Sequence, residues 1–240
     1  MEEIKRLPPL EAAKRFVVTY FPNCQGALLS GSVVRGEATK TSDLDIVVFD
    51  NQLTSPFRES LMEFGWPIEV FAHNFTSYKQ FFQSDCDRAR PSLPKMVSEG
   101  VVLVDKGCIE TIKKEANQLL EMGPTPWAEE MIQLKRYFIT DALDDFIGTT
   151  DRAEELFIAN TLAEMVHEFV LRTNGHWIGA SKWIVRALKQ HDEPFAEEFV
   201  EAFDVFYKTG QKDKIIKLVD KVLKPHGGRL FAGFSIGKHG

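Results

Sequence analysis

Cysteine is scarce. Cys24, Cys86 and Cys108 are the only three among 240 residues, and their spacing offers neither a disulfide framework nor a metal-ligand pair. An odd, scattered set is the pattern of reduced thiols, which makes a cytoplasmic location the expectation. No run approaches the roughly 20 apolar residues that a membrane span needs. The opening Met1-Glu-Glu-Ile-Lys-Arg is charged and leads into Pro8-Pro9 without the apolar stretch of a signal peptide. Neither a membrane nor secretion is therefore expected. Excess positive charge is missing as well, since 29 Lys+Arg stand against 35 Asp+Glu for a net charge of −6. A protein that lives on polynucleotide phosphates usually carries a basic face, whereas the two signs are interspersed here. Long nucleic acid is thus disfavoured as a partner, and a small or cationic one fits better.

What is present is an ordinary globular composition, 44% hydrophobic and 27% charged, enough for one large core or two modest ones. The first half alternates helix and strand signals. Helical spacing covers 10–21 and ends at Pro22-Asn23. Short apolar or β-branched runs at 26–31, 44–49, 67–72 and 101–104 read as strands, with helices near 56–64, 75–84 and 92–99 between them. From about residue 108 the strand signals stop. Helical patterns cover 108–122, 126–147, 151–173, 180–190, 194–208 and 211–224, and Thr150 or Asp151 is placed to cap the third of these. The expected architecture is α+β: a small mixed sheet with flanking helices over 1–107, then an all-α bundle over 108–226. The Gly-rich stretch 227–240 reads as a loosely held tail unless Leu230, Phe231 and Phe234 dock.

The chemistry concentrates in residues 31–49. In a strand over 44–49, Leu44, Ile46 and Val48 face one side, and Asp43, Asp45, Val47 and Phe49 the other. Asp43 and Asp45 then project together, roughly 7 Å apart along the strand. Paired carboxylates repel unless a cation neutralises them, and hard oxygens suit Mg²⁺. Upstream, Gly31-Ser32 ends a strand, so backbone N–H groups and the Ser32 hydroxyl can face a phosphate; Gly36 permits the turn away. Glu69 lies between Ile68 and Val70, and with those two in the core it would meet Asp43 and Asp45 on the opposite face.

Gly-Ser, about ten residues, Asp-x-Asp in an apolar strand, then an acidic residue inside a later apolar strand: this pattern resembles the DNA polymerase β-like nucleotidyltransferase superfamily. The form Gly31-Ser-Val-Val-Arg-Gly-Glu-Ala38 through Thr41-Ser-Asp-Leu-Asp45 is similar to its small bacterial members, the aminoglycoside- and lincosamide-type antibiotic nucleotidyltransferases and the minimal nucleotidyltransferases of toxin–antitoxin pairs. The likeness is specific over 26–72 and loose beyond. It implies a nucleotidyltransferase fold followed by a helical bundle, with Asp43, Asp45 and Glu69 as metal ligands and catalytic residues. It also implies two Mg²⁺ ions, with Mn²⁺ as an admissible substitute, and an NTP, ATP first. Gly31, Ser32, Arg35 and Lys182 would bind the nucleotide, Lys182 by the likeness to bundle lysines that reach the phosphates. Arg186 lies four residues from Lys182 on the same helical face, and Glu164, with His167 and Glu168, is an alternative source of the general base to Glu69. Each of these also has a plain structural reading.

The expected activity is transfer of a nucleoside monophosphate, AMP first, from Mg-NTP to a hydroxyl of a small acceptor, an aminoglycoside- or lincosamide-like compound by resemblance. A homodimer is compatible with the sequence. Two alternatives share the same residues: an antitoxin-like enzyme that nucleotidylates a partner protein, and a non-catalytic nucleotide-binding module.

Overall fold

Helix formation starts where proline permits it. Pro9 occupies the first position of α1, Pro9–Tyr20, where its missing N–H costs nothing. In the computed structural model, which describes residues 6–237, the chain divides into two compact units, Met1–Gly123 and Pro124–Gly240. The charged N-terminal residues 1–5 lie outside the described residues, as do the last three of the tail.

The first unit is built on β1 (Gly26–Ser30), β2 (Leu44–Phe49), β3 (Phe57–Glu63), β4 (Trp66–His73) and β5 (Val101–Asp105), with α2 (Ser77–Asp87), α3 (Ser92–Glu99) and α4 (Ile109–Met122). The strands lie in the order β3-β4-β2-β1-β5. Pairing is mixed: β2 and β4 run parallel, while β1 is antiparallel to β2 and β5, and β3 to β4. Alternation along β2 divides the core into two layers. Leu44, Ile46 and Val48 meet Ala13, Phe16 and Val17 of α1, while Val47 and Phe49 meet Tyr78 and Phe82 of α2, Val97 of α3 and Ile112 of α4. Each such side chain, fully buried, contributes about 1.5–3 kcal/mol. The central strands β1, β2 and β4 are therefore buried by apolar side chains, and Asp45 and Glu69 stand out as the half-buried acidic positions of β2 and β4.

Two expectations need correction. Residues 56–64, read as a helix, form the edge strand β3. Phe64 (φ 53°) and Gly65 (φ 79°) both adopt left-handed backbone, the two-residue hairpin that pairs Glu63 with Trp66. A phenylalanine in the first turn position hid that hairpin from the sequence. Helix α4, assigned to the bundle, instead packs on the sheet: Ile109, Ile112 and Ala116 are buried there. Asp105 Oδ1 fixes its start by accepting from the N–H groups of Gly107, Cys108 and Ile109 at 2.7, 2.9 and 3.2 Å.

The second unit contains α5 (Glu129–Gly148), α6 (Arg152–Thr173), α7 (Trp183–His191), α8 (Glu193–Thr209) and α9 (Asp213–Leu223). Asp151 caps α6, accepting from the Ala153 N–H at 2.8 Å. The described part of the glycine-rich tail is tied down. Arg136 donates to the Gly228 carbonyl at 3.0 and 3.1 Å, the Leu230 N–H donates to Thr140 at 2.9 Å, and Phe234 stacks on Tyr137 at 3.9 Å. No helix among the described residues is long and apolar enough to cross a membrane.

The β3–β4 hairpin is the least expected element of the sheet unit, and it is testable. Gly65→Ala places a Cβ 2.9 Å from the Arg6 Cα and forces an L side chain into the left-handed region. The substitution should lower unfolding stability by about 1–2 kcal/mol in a urea titration. An unchanged midpoint would mean that the turn is not of this type.

Candidate active site

The site grows out of one pairing. Leu44 and Ile46 are drawn into the α1 layer, which turns Asp45 to the other face; Ile68 and Val70 do the same for Glu69. The parallel register sets Asp45 beside Glu69, and Asp43 precedes β2 by one residue. One carboxylate oxygen of each of Asp43, Asp45 and Glu69 falls within 4.8 Å of the others, and all three residues are partly buried.

Three carboxylates so close repel, by something of order 3–4 kcal/mol for a charged pair at that separation in a protein-surface dielectric. Asp45 takes most of the strain. Its pKa is raised to about 6, first by burial, then by the charges of Asp43 and Glu69, against partial relief from Arg35 and Arg58. Arg58 is bound to Glu69 itself: its Nε and a terminal nitrogen donate to Glu69 Oε1 at 2.8 and 2.6 Å, and Ser60 donates to the same oxygen at 3.3 Å. Both partners stand on β3, so reading that segment as a helix concealed them.

Beside Asp45 the backbone of β1 ends at Gly31. A Cβ there would lie 2.0 Å from Asp45 Oδ2, and φ is +85°, so only glycine fits. The chain then turns, with Glu37 N–H donating to the Ser32 carbonyl at 2.9 Å. Ser32 Oγ donates to Ser42 Oγ at 3.1 Å, and Ser42 accepts the Thr39 N–H at 2.8 Å. The Gly31-Ser32 turn and the segment entering Asp43 are thereby fixed to one another.

Arg35 stands on this turn. Arg35 pairs with Glu99 at 3.0 Å and Glu37 at 3.3 Å. Lys95 on α3 was not visible from sequence patterns: it is half-buried, and burial pushes its ammonium below the usual lysine range against the pull of Glu99, with Arg35 adding to the fall. Lys182 belongs to the second unit, exposed at the cap of α7 beside Ser181, whose φ is 52°. Arg186 lies 4.7 Å over the Trp183 ring. Of the candidate bases on α6, Glu168 pairs with Lys135 at 2.7 Å and Glu164 is exposed. His167 is buried, its Nδ1 3.2 Å from the Ala163 carbonyl and its Nε2 3.1 Å from that of Gly179.

Residues 10–73 match the family model described as the nucleotidyltransferase domain. Over that stretch the chain is similar to a nucleotidyltransferase domain. That match spans α1 to the end of β4 and so includes Gly31, Ser32 and all three carboxylates. No curated protein matches the sequence. Among solved structures, a nucleotidyltransferase-like protein from Exiguobacterium sibiricum 255-15 aligns at a TM-score of 0.48 and 9% identity, covering 91% of this chain and 75% of that one. The nucleotidyltransferase domain makes the chain a transferase, with nucleotidyl transfer as its general reaction.

The Asp45 shift fixes the sign of a pH effect on this domain. Its folded pKa lies above its unfolded value of 3.8. The metal-free folded state is unburdened at low pH and is destabilised as pH rises through about 6. Asp45→Asn should therefore raise the melting stability of the metal-free chain by about 1–3 kcal/mol near pH 8 and leave it unchanged near pH 4. A variant less stable than the wild type near pH 8 would contradict the repulsion.

Proposed function

We propose that the chain transfers a nucleoside monophosphate, AMP first, from an NTP to the hydroxyl of a small acceptor with release of pyrophosphate. The observation that carries this reading is the trio Asp43, Asp45 and Glu69 within 4.8 Å, with Gly31 held bare against Asp45. The donor set suits a divalent cation: three hard carboxylate oxygens, one of them on Asp45, whose pKa is raised to about 6 by burial and then by its two acidic neighbours, gain more from Mg²⁺ or Mn²⁺ than from any neutral ligand. Such ions, held by Asp43, Asp45 and Glu69, would neutralise phosphate charge and acidify the acceptor hydroxyl.

The remaining work falls to the chain's own groups. Without a side chain at Gly31, the triphosphate can lie against backbone N–H groups beside Asp45. Ser32, anchored on Ser42, offers its hydroxyl to the same phosphates, and Arg35 adds positive charge at the turn. Glu69 is the proton acceptor for the hydroxyl on the β4 side, with Arg58 and Ser60 fixing its orientation. The net charge of −6 supports a small acceptor over a polynucleotide. The unpaired state of Cys24, Cys86 and Cys108 fits a cytoplasmic enzyme.

Labelled ATP and Mg²⁺ with a panel of hydroxylated antibiotics and metabolites, followed by mass spectrometry, tests the reading. One compound should gain a nucleotide in step with pyrophosphate release. Asp45→Asn should lower that rate at least about 100-fold with its circular dichroism unchanged. Full turnover by Asp45→Asn, or label found only on protein, would overturn the small-acceptor assignment.

A further inference from the structure

A cavity of about 460 Å³ lies within the first unit, in the size range of small-molecule sites. Phe57 and Arg58 of β3, Phe71 and His73 of β4, Phe81 of α2 and Met96 of α3 form its walls. Glu69, Phe71 and His73 alternate onto one face of β4, so the cavity begins one strand step, about 7 Å, beyond Glu69. Arg58 belongs to both places. It holds Glu69 at 2.6 Å, and its guanidinium sits 4.9 Å from the Phe71 ring centre.

The strand order decides which reactant can enter. From Asp45 on β2, the Gly31-Ser32 turn lies on the β1 side and the cavity on the β4–β3 side. In-line displacement at phosphorus needs nucleophile and leaving group on opposite sides. With the triphosphate on the Gly31-Ser32 turn, the cavity is where the hydroxyl-bearing reactant approaches.

Its lining selects the chemistry. Three phenyl rings and a thioether offer stacking and dispersion to a flat, apolar group. The charges nearby are already committed: Arg58 to Glu69, Arg88 to Asp85, and the second Asp85 oxygen to the Leu93 N–H at 2.8 Å. Among the described residues that line the cavity, the one carboxylate, Asp85, is thus already paired. His73, buried with its Nδ1 3.5 Å from Ser77 Oγ, is neutral because burial pushes its pKa down to about 4.

We propose that this cavity seats the aromatic or otherwise planar apolar ring of the acceptor, whose hydroxyl reaches back one strand step to Glu69. The assignment rests on the nucleotidyl-transfer reading above and narrows its substrate class away from polycationic sugars. In the step itself, the acceptor O–H gives its proton to Glu69 and its oxygen bonds to the α-phosphorus. The bond from that phosphorus to pyrophosphate breaks, and the electron pair departs with pyrophosphate.

Saturation-transfer NMR on the full chain without nucleotide tests it, using matched pairs: phenyl against methyl β-D-glucoside, and tyrosol against propanediol. The ring-bearing member of a pair should bind through its aromatic protons. Binding should weaken about five-fold or more in Phe81→Ala, which trims a ring already 45% exposed, and in Ser92→Trp, which plugs the exposed rim. The affinity of both variants for Mg-ATP should be unchanged. Ring-bearing compounds that bind no better than their partners, or equally well in both variants, would overturn the assignment. A loss of ATP affinity in Phe81→Ala would overturn it too, by making the cavity a nucleobase site. Because binding is read without nucleotide, absence of transfer activity would count against the proposed reaction and leave this result separate.

Discussion

Mutual repulsion among Asp43, Asp45 and Glu69 is the constraint that the first unit is organised to withstand. Parallel pairing of β2 with β4 sets Asp45 against Glu69, and neither strand can slip to relieve it. A one-residue shift would carry Leu44 and Ile46 out of the α1 layer and both carboxylates into it. Apolar burial on both faces of the sheet therefore stabilises an arrangement that electrostatics opposes. The raised Asp45 pKa records its burial first and that opposition second, and such stored conflict is characteristic of functional sites.

The neighbouring parts follow from the same need. Gly31 leaves space that any side chain would take from Asp45. Arg58 and Ser60 of the edge strand steady Glu69, and Arg35 and Lys95 set positive charge around the turn where the triphosphate would lie. Arg58 links the carboxylates to the aromatic cavity, touching Glu69 on one side and Phe71 on the other. The carboxylate cluster and the cavity thus share a face, a strand and a side chain.

Much of this was legible in the residues. The alternation of Leu44, Ile46 and Val48 with Asp45 is a period-2 signal that both burial layers obey, and Ile68-Glu69-Val70 repeats it in miniature. The helices after residue 124 follow their apolar spacing, and Asp151 caps where a capping residue was expected. What was not legible depended on tertiary context. Strand β3 is an edge strand with most of its residues exposed, so it lacks a buried face to announce itself, and Phe64 holds a turn position where asparagine would have given the signal. Arg58, Ser60 and the cavity were invisible with it. Helix α4 is amphipathic whichever unit it joins, and only the packed structure shows Ile109 and Ile112 against the sheet. The glycine-rich tail is held by Arg136 and Tyr137, residues nearly a hundred positions away.

The most direct measurement is a Mn²⁺ titration of the metal-free chain followed by electron paramagnetic resonance. Three carboxylates held against their own repulsion should bind Mn²⁺ saturably, and Asp45→Asn or Glu69→Gln should weaken that binding at least ten-fold. Undiminished Mn²⁺ binding in a chain carrying Asp43→Asn, Asp45→Asn and Glu69→Gln together would contradict the account at its centre.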